Sequence, residues 1–113
     1  MNGKGTIIFG KFVNIGIIQS PYFFNTYCYI DARSEHSKIE IGDNVWINNN
    51  AVLISDGEGI IIGEKCLIGM NFCAFDSDFH DLSPTKRLGG KPKTAAVKIG
   101  NNVFIGSNVS IMK

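Results

Sequence analysis

Only two histidines occur in the 113-residue chain, and they sit in different surroundings. His80 lies in the stretch FDSDFHD, flanked by Asp76, Asp78 and Asp81. An imidazole titrates near neutrality, so it can take up and release a proton at working pH. A carboxylate on its other nitrogen would fix the tautomer and stabilise the imidazolium. His80 is therefore the residue best equipped for general-base chemistry. His36 lies in the polar run RSEHSK and reads as surface. Cys28, Cys66 and Cys73 show no C-x-x-C spacing, so neither a disulfide framework nor a zinc site is expected. They read as reduced thiols packed as small hydrophobes. The GG of RLGGKP neither follows a strand nor opens a GKS/T-type helix, and is no phosphate loop.

The elements that must position His80 repeat every six residues. From Ile41 the chain reads IGDNVW, INNNAV, LISDGE; from Ile62, IGEKCL, IGMNFC; from Ile99, IGNNVF, IGSNVS, IMK. The leading positions Ile41, Ile47, Leu53, Ile62, Ile68, Ala74, Ile99, Ile105 and Ile111 are all aliphatic. A period of six fits neither a helix at 3.6 nor an irregular hairpin protein. It fits an all-β, single-stranded parallel β-helix, in which three six-residue sides close one coil. The leading aliphatic points inward, Gly at the second position turns tightly, Asn at the fourth makes the corner, and a small or β-branched residue at the fifth fills it. Each coil buries its apolar column only against its neighbours.

Composition agrees. Seventeen Ile stand against four Leu, and the 13 Gly and 11 Asn suit sharp corners. A helical bundle and a doubly wound α/β domain are both excluded. Eleven basic against ten acidic residues give a formal charge of +1, without a basic stretch suited to nucleic acid. No apolar run is long enough for a membrane span, and the N-terminus lacks a secretory pattern. The expected setting is cytoplasmic.

Two interruptions stand out. Leu53 to Ile62 is three residues too long and carries SDGEG. Ala74 to Ile99 carries one long excursion, at about residues 75–97, with His80 in it. Loops of this length in repeat folds are commonly functional. The expected organisation is one domain over 1–113 of about five coils. Residues 1–38 form a degenerate first coil and cap, whose aromatics cover the open end, and residues 39–113 carry the hexapeptide coils. Trp46 points outward, marking a subunit interface or a ligand surface. Asp56, in the bulge, could bind a ligand's hydroxyls or be an exposed turn residue.

Hexapeptide units broken by one long His-containing loop resemble the left-handed parallel β-helix acyltransferases. The match is nearest to the sugar and polysaccharide O-acetyltransferases, such as the maltose and galactoside enzymes. It covers roughly residues 39–113. The D-x-D-x-H form of DSDFH, followed by GGKP and KIGNNVFIGSNVSI, carries the more specific part. The resemblance implies left-handed coils, a homotrimer with active sites between subunits, acetyl-CoA as co-substrate and no metal. It implies that His80 is the base that deprotonates a sugar hydroxyl attacking the thioester. It also implies that Asn48 bonds the acceptor or the oxyanion, with Asp56 and Asp78 as further acceptor contacts. Phe104, Gly106 and Ser107 would line the pantetheine path. Arg87, Lys91 and Lys93 either attract CoA phosphates or are ordinary solvated charge.

A competing expectation is a non-catalytic β-helix scaffold or assembly subunit. The sequence stops inside a coil, which is read as a C-terminal truncation, an end covered by another chain, or lost activity. A γ-carbonic anhydrase needs three His ligands and an ice-binding helix needs Thr ladders; neither is present.

Overall fold

A computed structural model describes all residues, 1–113. Thirteen short strands wind as a parallel coil: β1 (Asn2–Gly3), β2 (Thr6–Phe9), β3 (Asn14–Ile15), β4 (Tyr29–Ala32), β5 (Lys38–Ile41), β6 (Trp46–Ile47), β7 (Val52–Ser55), β8 (Ile60–Ile62), β9 (Leu67–Ile68), β10 (Cys73–Phe75), β11 (Val97–Ile99), β12 (Phe104–Ile105) and β13 (Ser110–Met112). They stack into three parallel sheets: face I is β2-β5-β8-β11, face II is β3-β6-β9-β12, and face III is β1-β4-β7-β10-β13. Every third strand joins the same face, so four complete coils are present, preceded by β1 alone, where the sequence pattern predicts about five. No helix is long and apolar enough to cross a membrane.

The register confirms the inward columns. Phe9, Ile41, Ile62 and Ile99 align on face I; Ile15, Ile47, Ile68 and Ile105 on face II; Ile30, Leu53, Ala74 and Ile111 on face III. Fifth-position residues Val45, Ala51, Cys66 and Phe72 are fully buried in the same core cluster. Phe72 departs from the expected small residue. It belongs to the same buried cluster as Ala51 and Ala74.

The corners follow the fourth-position rule. Asn44, Asn50, Asn71, Asn102 and Asn108 all have φ between +56° and +61°, a region that Asn tolerates better than most residues. Lys65 and Phe12 occupy the same place with φ +57°. Along one corner the amides form a ladder: Asn50 Nδ2 donates to Asn71 Oδ1 (2.9 Å), and Asn71 Nδ2 to Asn108 Oδ1 (2.7 Å). The second-position glycines need a different explanation from the tight turn that the sequence suggests. Gly42 and Gly69 are not among the residues with positive φ. A Cβ on Gly42 would stand 2.8 Å from the carbonyl carbon of Gly63, and one on Gly69 2.7 Å from that of Gly106. Glycine is required there because adjacent coils approach closely.

Two excursions leave the coil, not one. The expected one runs between β10 and β11. A second, residues 16–28, leaves between β3 and β4. The first coil is otherwise regular, so the N-terminal region is less degenerate than its sequence implies. Its aromatics do not form a closed cap: Phe12, Phe24 and Tyr27 are 77%, 85% and 76% exposed.

Candidate functional site

The long excursion leaves at the corner between faces III and I, and its neck is an ordered structure. Ser77 and Thr94 form an antiparallel bridge, and Asp78 N–H donates to the Lys93 carbonyl at 3.0 Å. Asp76 anchors the neck from within. It is fully buried, and its carboxylate accepts from Ser55 Oγ (2.6 Å) and from the backbone N–H groups of Asp56 (2.8 Å), Gly57 (3.2 Å) and Gly59 (2.7 Å). The SDGEG bulge is thus the nest that receives Asp76, and the two interruptions of the hexapeptide pattern are one structure.

Asp76 is consequently not available to orient His80. Asp78 is committed differently: its Oδ1 pairs with Lys113 Nζ at 3.0 Å, and its Oδ2 is buried without a hydrogen-bond partner. Asp81 Oδ1 accepts from Ser83 N–H (2.8 Å), which shapes the loop's next turn. His80 itself is exposed and its imidazole makes no hydrogen bond within the chain. The carboxylate–imidazole pair that the run of acids invites is therefore not formed within this chain.

The residue before His80 carries the local geometry. Phe79 has φ +60°, a conformation costing a bulky side chain on the order of 1 kcal/mol. Its N–H donates to Ser77 Oγ at 2.9 Å. Its ring meets Phe75 edge-on, with centroids 5.7 Å apart, and the Arg33 guanidinium lies 5.2 Å from its centroid. Sequence reasoning did not single out Phe79 or Arg33, because nothing local links residue 33 to residue 79.

Face II holds the other candidates. Trp46, Leu67 and Phe104 align in one outward column and are 44%, 51% and 77% exposed. With Ile17, Asn48 and Gly69 they line a shallow concavity. Trp46 does point outward, as its position predicts. Gly106 and Ser107, at the following corner, are exposed. Asn48 is half-buried, its Nδ2 donating to Ser20 Oγ (3.1 Å) and its Oδ1 accepting from Asn49 N–H (2.7 Å). Asp56 is neither an exposed turn residue nor free for a ligand at both oxygens: it is half-buried, and Ser34 Oγ donates to its Oδ1. Arg87, Lys91 and Lys93 are exposed. His36 is also exposed, as expected, while Cys66 is buried and Cys28 and Cys73 half-buried.

Asn49, which has no place in the repeat rule, is a further residue that sequence reasoning missed. It is 3% exposed. Its Oδ1 accepts from Ile17 N–H (2.8 Å), and its Nδ2 donates to the carbonyls of Ile17 (2.9 Å), Ser20 (3.2 Å) and Pro21 (2.8 Å). This one amide pins the 16–28 excursion against the corner that bears Asn48. Asn49→Ala should release it: cleavage by a nonspecific protease between residues 17 and 27 should rise sharply while the coil stays resistant.

His80 and Asn48 leave different corners of the triangle, and no concavity of one chain contains both.

A triangular coil with six-residue sides, aliphatic inward columns and αL asparagine corners defines a left-handed parallel β-helix of the hexapeptide type. Residues 38–73 and 96–112 match the model of the hexapeptide repeat of succinyl-transferase, and the gap between them falls on the His80 excursion. The chain is 34% identical over 96 residues to YJL218W of Saccharomyces cerevisiae, a protein named as an acetyltransferase, covering 85% of this chain and 43% of that protein. It is 35% identical to the galactoside O-acetyltransferase of Escherichia coli (66% of this chain, 36% of that one). It is 34% identical to the sophorolipid acetyltransferase of Starmerella bombicola (59% and 25%). The chain belongs to the hexapeptide-repeat acetyltransferase family. It spans less than half the length of each of these relatives. No solved structure gives a significant match.

Proposed function

We propose that this chain carries the acetyl-transfer site of an acetyl-CoA-dependent O-acetyltransferase acting on a sugar or glycan hydroxyl. The observation that carries the reading is an exposed imidazole held on a braced loop, in a fold whose named relatives transfer acetyl groups. His80 takes the proton from the attacking hydroxyl, whose oxygen adds to the thioester carbonyl; the tetrahedral intermediate collapses and the CoA thiolate leaves. Asn48 serves the acceptor, with the second carboxylate oxygen of Asp56 nearer the loop; Asp78, paired with Lys113 at one oxygen and buried at the other, is not placed to do so. The Trp46–Leu67–Phe104 column, ending at Gly106 and Ser107, provides an apolar track for the pantetheine arm.

This arrangement calls for a homotrimer. His80 and Asn48 leave different corners of one chain, and a trimer in which the loop of one copy lies on face II of the next would bring them together. The loop carries Leu82 and Leu88, 63% and 96% exposed, and face II carries its own apolar column, so both surfaces gain by being covered. The galactoside and sophorolipid relatives are named for glycosidic compounds, which supports a sugar acceptor.

The test is calorimetric titration with acetyl-CoA, followed by thiol release in the presence of a panel of oligosaccharides. Saturable binding is expected, weakened about tenfold or more by Phe104→Ala, because an exposed ring that packs only on the ligand loses only ligand contact. Absence of binding to the trimeric protein would overturn the reading.

A further inference from the structure

The outward side of face III carries a line of contacts that ends at His80. Asp31, Ile54 and Phe75 align in register on β4, β7 and β10. Asp31 is 2% exposed; its Oδ2 accepts from Arg33 Nε (3.1 Å) and from Tyr29 Oη (3.2 Å). Arg33 is further fixed by its own N–H, which donates to the Ser55 carbonyl at 2.8 Å. So held, the guanidinium lies against the ring of Phe79, which also makes a T-shaped contact with the ring of Phe75. Phe79 is thus gripped by a cation from the first coil and a ring from the third. That grip falls on the residue with φ +60° that sets the direction of the chain into His80.

We propose that Arg33 is a positioning residue for the general base: anchored by Asp31, it braces Phe79 and so holds the left-handed turn that fixes the imidazole of His80. This rests on the reading of His80 as the base. A left-handed aromatic residue persists only where its surroundings over-determine it. His80 has no hydrogen bond of its own within the chain, so the turn before it is the local device that limits its motion. The Asp31 anchor matters because an unpaired, half-exposed arginine would sample many rotamers and hold the ring poorly.

The test compares Arg33→Gln and Arg33→Lys in the full chain, with His80→Ala as reference. Two quantities are read: the backbone order parameter of His80 by NMR, and kcat against KM for acetyl-CoA. In Arg33→Gln the His80 order parameter is expected to fall from about 0.85 toward 0.6 or below. In the same variant kcat should fall about tenfold or more with KM nearly unchanged, because a misplaced base costs rate and not donor binding. Arg33→Lys, whose ammonium can still sit over the ring, should recover part of both. The melting transition of the coil should not move enough to explain either change. An unchanged order parameter in Arg33→Gln overturns the proposal, whatever happens to the rate. So does a lower order parameter with unchanged kcat. If His80→Ala turns over like the unmodified protein, the base reading itself falls and the proposal with it, an outcome visible independently of Arg33.

Discussion

Replacing His80 by alanine is expected to reduce acetyl transfer by about 10²- to 10⁴-fold, the range by which a positioned general base accelerates a proton transfer. In the proposed reaction the acceptor hydroxyl is a weak nucleophile until its proton is removed, and no other histidine lies in the loop. The substitution should leave the protein intact. His80 is exposed and makes no hydrogen bond within the chain, and substitutions at such sites change stability by about 0.5 kcal/mol or less. Loss of rate can therefore be read as loss of chemistry. The measurement is CoA thiol release at saturating donor, with circular dichroism and melting recorded on the same sample. Turnover equal to the unmodified protein would remove His80 from the mechanism.

Asp76→Ala should have the opposite profile. The carboxylate is fully buried and accepts four hydrogen bonds, three of them from backbone N–H groups of the bulge. Its removal leaves those donors without a partner where water does not reach, at about 1–3 kcal/mol for each group left unsatisfied. A loss of about 3 kcal/mol or more is expected, a large part of the roughly 5–15 kcal/mol that holds a domain folded. Denaturant titration measures it. The bulge at residues 56–59 and the neck of the long loop should loosen together, visible as lost amide protection in both. Transfer activity should fall in proportion to the folded fraction, in contrast to His80→Ala. An Asp76→Ala protein of unchanged stability but no activity would mean that the buried carboxylate belongs to the chemistry after all.

These two residues lie four positions apart in one acidic run, and the sequence does not tell them apart. Asp76, Asp78 and Asp81 look equivalent as partners for His80. In the folded chain they bind a backbone nest, a lysine from the end of the chain and the loop's own turn. The same holds for the three consecutive asparagines. Asn50 falls at the fourth position of its hexapeptide, and its left-handed corner follows directly from that. Asn48 holds the second position, which glycine takes in most other units, and Asn49 has no place in the rule. That break is the one signal that something packs outside this corner; what packs there is the 16–28 excursion, which the repeat pattern does not reveal.

The sequence by itself determined the coil. A six-residue period repeats the same local environment, so a residue's place in the unit decides whether it faces inward, turns the corner or faces out. Counting in sixes from Ile41, Ile62 and Ile99, afresh after each interruption, aligns Ile47, Ile68 and Ile105 and places Trp46 and Phe104 outward. The loop that carries His80 is legible too, as the longest gap in the period. Only the tertiary structure decided which groups hold that loop. The Arg33–Phe79 contact, the seating of Asp76 in the bulge and the grip of Asn49 on the second excursion all join segments well separated in the chain. A periodic pattern reports on the repeating backbone beneath each residue. It carries no information about side chains that leave the coil, whose partners are set by which corners the stacking brings together.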